Sequence, residues 1–212
     1  MTQTESAALE QMESRINSTD PLDLRTLMQE QTLALSVDLN NGFAKHGALY
    51  SERVNALIPQ TIEFAKGCRQ QGIRVVALCD RHTDASPEFL GYPPHCMADT
   101  DEPLPVEELR GYLDDTLYKN STNGFYRLAE QGLIEPYQNF IITGCCTDIC
   151  IFQLATAVKT WFNERNDARR VIVPIHLVDT YDSPAHDARL LNAAFLCSMM
   201  DCGINVASDI LF

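Results

Sequence analysis

The sequence is short of positive charge. Sixteen lysines and arginines stand against 29 aspartates and glutamates in 212 residues, a formal net charge of −13. That deficit opposes a broad electrostatic grip on phosphate backbones or anionic lipid, so neither nucleic acid nor a membrane surface is an expected partner. Long apolar runs are missing as well. No stretch reaches the ~20 residues of a spanning helix, and the polar, acidic start MTQTESAALEQMESR is unlike a secretory leader; a cytoplasmic protein is expected. No internal repeat and no Gly-, Ser- or Pro-rich linker divides the chain. Cysteine, by contrast, is plentiful at eight residues. Without a leader these are read as reduced thiols, and no matched C-x-x-C pairs offer a structural zinc site. Cys68, Cys79, Cys197 and Cys202 fall inside apolar patterns, where a thiol acts as a small hydrophobe.

What is present is the composition of one globular domain, 45% apolar and 21% charged. Residues 4–29 read as helical, with Asp20-Pro21 opening a second short helix. From there short apolar runs alternate with helical stretches. LALSV ends at Asp38, and a helix over 53–70 is closed by Gly72. IRVVALCD ends at Asp80, TLYK ends at Lys119, and a short helix covers 125–130. NFIITG leads into a long helix over 148–162; RVIVPIHLV, a helix opened by Ser183-Pro184, and GINVAS complete the chain. Continuous apolar runs alternating with helices predict a three-layer α/β/α domain around a six-stranded parallel sheet buried on both faces. The expected division is an N-terminal helical extension over 1–30 and the α/β/α domain over 31–212.

Ligands of such sheets bind beyond the carboxyl ends of the strands, so the residues that follow each run deserve the closest reading. Cys150 sits at the start of the helix after NFIITG, where helix N–H groups and the dipole favour a thiolate, although a buried thiol on an apolar helix has the same sequence. Asp38, at a strand end, can take a thiol proton and return it to a leaving amine. Lys119 adds the positive charge that would lower the thiol pKa.

The segments Asp38-Leu39-Asn40-Asn41-Gly42-Phe43, Lys119-Asn120-Ser121-Thr122-Asn123-Gly124-Phe125 and Gly144-Cys145-Cys146-Thr147-Asp148-Ile149-Cys150 resemble, in order and spacing, the Asp, Lys and Cys motifs of isochorismatase-like cysteine hydrolases, the family that contains nicotinamidases. The resemblance runs over about residues 33–207. It implies a triad of Cys150, Asp38 and Lys119, a cis peptide between Cys145 and Cys146, and an oxyanion hole made by the N–H groups of Cys146 and Cys150.

Asp80-Arg81-His82 leaves the second strand, and Tyr92-Pro93-Pro94-His95-Cys96 follows. Asp80, His82 and His95 are donors suited to zinc or a similar divalent ion, and they resemble the nicotinamidase metal site with Tyr92 where a tryptophan is usual. Glu88 matches a further carboxylate ligand of some members. The chain departs from the D-x-Q-x-D-F pattern at Asn40 and Gly42, and the acidic stretch 99–108 has no assigned chemistry.

The expectation is a metal-assisted amidohydrolase of NAD metabolism, most simply one that hydrolyses nicotinamide through a Cys150 acyl-enzyme, with a small-molecule amide as substrate and a homo-oligomeric assembly. The alternatives are a related hydrolase of a ureido or carbamoyl compound, a non-catalytic scaffold of the same fold, and a dithiol switch at Cys145, Cys146 and Cys150.

Overall fold

Each long apolar run becomes a strand with both faces covered. The computed structural model describes residues 3–212. In chain order its elements are α1 (Gln3–Asn17), β1 (Leu22–Asp23), β2 (Thr32–Val37), α2 (Asn41–Ala44), α3 (Glu52–Ala56), α4 (Ile58–Gln70) and β3 (Arg74–Asp80). After a proline-rich loop come α5 (Glu107–Arg110), β4 (Asp115–Lys119), α6 (Phe125–Glu130), β5 (Asn139–Cys145) and α7 (Phe152–Asn163). The chain closes with β6 (Arg170–Pro174), β7 (Val178–Asp179), α8 (Ala188–Asp201), β8 (Asn205–Ala207) and β9 (Ile210–Leu211).

The main sheet runs in the order β4-β3-β2-β5-β6-β8, with every pair parallel, and β7 adds to the far end of β5. Strand alternation then sorts the core. Leu33, Leu35 and Val37 of β2 face a layer that holds Leu9 and Ile16 of α1, Leu154 and Phe162 of α7, and Leu196 of α8. Ala34 faces the other layer, with Val54, Phe64 and Leu109 from α3, α4 and α5. Each fully buried Leu, Ile or Phe is worth about 1.5–3 kcal/mol, so the two layers hold the sheet's geometry firmly. Three of the four filler cysteines, Cys68, Cys79 and Cys197, are buried, while Cys202 is partly exposed. Among the described residues no helix is long and apolar enough to cross a membrane.

Several expected elements take another form. Asp20-Pro21 does not open a helix: Leu22 donates its N–H to the Asp209 carbonyl at 2.8 Å, β1 pairs with β9, and a 3₁₀ turn over Leu24–Thr26 is capped by Asp23. Burial of Leu22 and Leu24 outweighs helix propensity there. The extension's α1 packs its apolar side on α8; its first two residues lie outside the described part. The helix expected over 53–70 is two helices, because Pro59 cannot sit in a helix interior and is accommodated in the first turn of α4. Pro174 likewise splits RVIVPIHLV into β6, a 3₁₀ turn and β7. Asp187, not Ser183, caps α8, accepting the Leu190 N–H at 2.9 Å. Residues Thr147–Ile151 form a π turn, and the α-helix begins only at Phe152.

Candidate active site

Strands β2, β3, β4 and β5 end side by side, with Val37 opposite Leu78 and Gly144, and Asp80 opposite Lys119. Their terminal residues therefore meet. Asp38 leaves β2 in the left-handed region at φ 54°, a conformation that aspartate tolerates better than most residues. Its N–H reaches the Leu78 carbonyl at 2.8 Å and its Oδ1 accepts the Asp80 N–H at 2.9 Å, so the carboxylate is fixed from both sides. Gly144, at φ +113°, lets β5 pass against β2: a Cβ there would lie 1.9 Å from the Val37 carbonyl oxygen. The next peptide, Cys145–Cys146, is cis.

Lys119 is the hub. Its Nζ lies 2.8 Å from Asp38 Oδ2, 2.7 Å from Asp80 Oδ1 and 3.8 Å from Cys150 Sγ, and all four residues are buried. Burial acts on Lys119 against its charge, but the two carboxylates outweigh it and hold the ammonium well above its ordinary range. Burial, reinforced by Asp80 and opposed by Lys119, pushes Asp38 up to about 7. Asp80 feels the same burial, yet Lys119 and His82 hold it below the usual carboxylate value.

The thiolate expected at Cys150 is not preformed. Burial pushes the Cys150 thiol well up; Lys119 opposes this, while Asp38 and Asp80 add to it. One ammonium facing two carboxylates leaves no net positive charge for the sulfur. The thiol is therefore protonated at rest, with a basic carboxylate beside it.

Asp80, His82, Glu88 and His95 form a second cluster that shares Asp80 with the first. Their donor atoms all lie within 4.8 Å of one another. His82 Nε2 is 3.7 Å from Asp80 Oδ1 and 3.9 Å from Glu88 Oε2, and His95 Nε2 is 3.9 Å from Asp80 Oδ2. Such separations suit donors that each stand ~2.0–2.2 Å from a shared ion. The remaining atoms are already engaged. His82 Nδ1 meets Asn120 Oδ1 at 2.8 Å, His95 Nδ1 donates to the Pro93 carbonyl at 2.8 Å, and Glu88 Oε1 accepts the Thr122 N–H at 2.6 Å. His82 Nε2 and Glu88 Oε2 are left buried without a hydrogen-bond partner. Buried polar atoms without partners are rare, and a set of two imidazoles and two carboxylates fits a divalent ion.

A cavity of about 450 Å³ opens onto both clusters, reached by Asp38, Asp80, His95, Cys146 and Cys150, with Phe43 and Tyr92 on its wall. The structure thus brings together Asp38, Lys119 and Cys150 and, separately, Asp80, His82, Glu88 and His95. Sequence reading had no signal for several supporting residues. Asn120 and Thr122 fix His82 and Glu88. Asp148 receives His186 Nε2 at 2.8 Å, and the His186 ring stacks on Tyr181, another wall residue, at 3.7 Å between centroids. Only the fold makes these neighbours.

Fold and site define a parallel α/β hydrolase with a cysteine, a carboxylate and an ammonium buried at the strand ends. The family model described as the isochorismatase domain matches residues 32–200, and the chain belongs to that family. Nicotinamidase 1 of Arabidopsis thaliana is 26% identical over 193 residues, covering 82% of this chain and 72% of that protein. Among solved structures, PnC1 from L. infantum in complex with nicotinate has a TM-score of 0.72 at 18% identity, covering 88% of this chain and 98% of that one. N-carbamoylsarcosine amidase from Thermoplasma acidophilum has a TM-score of 0.65 at 23% identity, with coverage of 83% and 95%. The pyrazinamidase of Pyrococcus horikoshii in complex with zinc has a TM-score of 0.64 at 20% identity, with coverage of 86% and 99%. At these identities the structural likenesses establish the fold.

Proposed function

We propose that the chain hydrolyses nicotinamide to nicotinate and ammonia through an acyl-enzyme on Cys150. The observation that carries this reading is the buried contact of Lys119 Nζ with Asp38, Asp80 and the Cys150 sulfur on the floor of a cavity whose wall holds a metal-capable cluster.

As the Cys150 sulfur attacks the amide carbon, its proton passes to Asp38, whose affinity for protons, near pH 7, suits a group that must both accept and return one. The N–H groups of Cys146 and Cys150 receive the developing oxyanion. Collapse of the tetrahedral intermediate breaks the carbon–nitrogen bond, and Asp38 returns the proton to the leaving group as ammonia. Water then attacks the thioester, Asp38 accepts its proton and hands it to the departing thiol, and nicotinate leaves. Lys119 stays charged throughout and holds Asp38 in place.

Asp80, His82, Glu88 and His95 would hold a divalent ion, with zinc the expected metal. When bound, it supplies a Lewis-acid anchor for a ring nitrogen and neutralises Asp80. Phe43 and Tyr92 give an aromatic slot beside it; their rings lie 5.6 Å and 6.0 Å from that of His95. On this reading the enzyme works in the cytoplasm in NAD metabolism, as a homo-oligomer whose residues 1–30 form an extension of the catalytic domain.

The test is ammonia release across nicotinamide, pyrazinamide, ureido and carbamoyl compounds. The ring amides should give the highest kcat/KM. A preference for carbamoyl compounds would favour the second reading, which the departures at Asn40 and Gly42 support, and no release from any compound would favour a scaffold.

A further inference from the structure

The acidic stretch 99–108 has a purpose in this structure that centres on one carboxylate. Residues 101–106 run alongside the Asp38 turn: Asn41 and Gly42 donate to the carbonyls of Leu104 and Glu102 at 3.0 Å and 2.9 Å, and Val106 donates to that of Leu39 at 3.1 Å. This lays the Glu102 side chain between two glycines. A Cβ at Gly42 would lie 3.1 Å from Glu102 Cβ and 3.2 Å from its Oε2, and one at Gly47 would lie 2.9 Å from its Oε1. A Cβ at Gly42 would also lie 2.8 Å from Cys96 Sγ, so glycine at 42 leaves room for both the Glu102 and the Cys96 side chains.

From this slot Glu102 Oε2 accepts the Cys96 N–H at 2.6 Å. Cys96 needs such a hold. It is a non-glycine residue at φ 47°, a left-handed conformation that costs roughly 1–2 kcal/mol and persists only where the surroundings impose it. On its other side the Cys96 carbonyl accepts the His82 N–H at 2.9 Å, and its sulfur receives Asn40 Nδ2 at 3.6 Å. The residue just before this turn is His95. His95 Nε2 lies 3.9 Å from Asp80 Oδ2, and its Nδ1 is held by the Pro93 carbonyl at 2.8 Å, so the turn at Cys96 flanks the imidazole on its C-terminal side.

We propose that Glu102 is a positioning residue for His95: by holding the Cys96 N–H it fixes the turn that aims the imidazole into the Asp80-His82-Glu88 cluster. The inference rests on the metal reading above and adds to it a group outside the ligand set. Partners that orient ligands typically change metal affinity about 10- to 100-fold.

The experiment is a Zn²⁺ titration of the metal-free full chain against a chromophoric chelator, with folding checked by thermal melting. Glu102→Ala and Glu102→Asp, which remove or withdraw the acceptor, should each weaken Zn²⁺ binding about 10-fold. Glu102→Gln keeps an amide oxygen for the Cys96 N–H and should stay within about 3-fold of wild type, a rescue by geometry and not by charge, at well under the ~1.4 kcal/mol of a tenfold change. Should Glu102→Ala fail to fold, the Asp and Gln variants still separate the outcomes. Zn²⁺ binding by Glu102→Asp equal to wild type, or Glu102→Gln as weak as Glu102→Asp, overturns the role of Glu102 and leaves the metal site standing. A wild-type chain that takes up no Zn²⁺ overturns the metal site and this inference together.

Discussion

The two ends of the central sheet use similar residues to opposite effect. At the amino ends of β3 and β4, Arg74 faces Asp115 at 3.5 Å with both side chains more than a third exposed, a pair worth about 0–1 kcal/mol. At the carboxyl ends of the same strands Lys119 and Asp80 meet at 2.7 Å, each about 2% exposed, with Asp38 a second carboxylate on the same ammonium. Strand pairing brings both sets together, and solvent alone distinguishes them. Water screens the first pair into near neutrality. Its exclusion from the second shifts both groups, pushing the Asp38 carboxyl up to about 7 and the Cys150 thiol well up beside it.

The comparison can be broken at several points. The largest effect is expected for Cys150→Ala, which should lose all measurable ammonia release while calorimetry still detects nicotinamide binding. Asp38→Asn should cost about 10²- to 10⁴-fold in kcat. Because Asp38 must be ionised to take the thiol proton, wild-type kcat/KM should fall about tenfold per unit as pH drops below about 7, and this limb should vanish in the Asn variant. Lys119→Met strands two buried carboxylates; denaturant melts should show a loss of about 3–5 kcal/mol. His95→Ala, or a chelator, should mainly raise KM with a smaller change in kcat, separating substrate anchoring from thiol chemistry. The smallest effect belongs to the solvent-exposed end: Arg74→Ala should change stability by no more than about 1 kcal/mol and leave kcat untouched.

The buried end was also the legible one. Continuous runs such as LALSV, IRVVALCD and TLYK, alternating with helices, predict strands of a doubly covered sheet, so the residues at their ends, Asp38, Asp80 and Lys119, are legible in the sequence. The breaks were less visible. Pro59 and Pro174 interrupt patterns whose hydrophobic period continues across them, and β1 pairs with β9 across nearly the whole chain, a contact without local signature. Glu102 is not legible in the acidic stretch 99–108 because its partner, the Cys96 N–H, is a backbone group. The state of the thiol is hidden for a related reason. Sequence shows that Lys119 is available to Cys150, but not that two carboxylates have already claimed it.

The central claim is that Cys150 carries the acyl group, and rapid quenching tests it directly. Metal-loaded enzyme mixed with nicotinamide, quenched in acid within the first turnover and mapped by peptide mass spectrometry, should carry a nicotinoyl thioester on the peptide containing Cys150, absent from Cys150→Ala. Turnover with no adduct on any cysteine, together with ammonia release by Cys150→Ala at a rate near that of wild type, would contradict it.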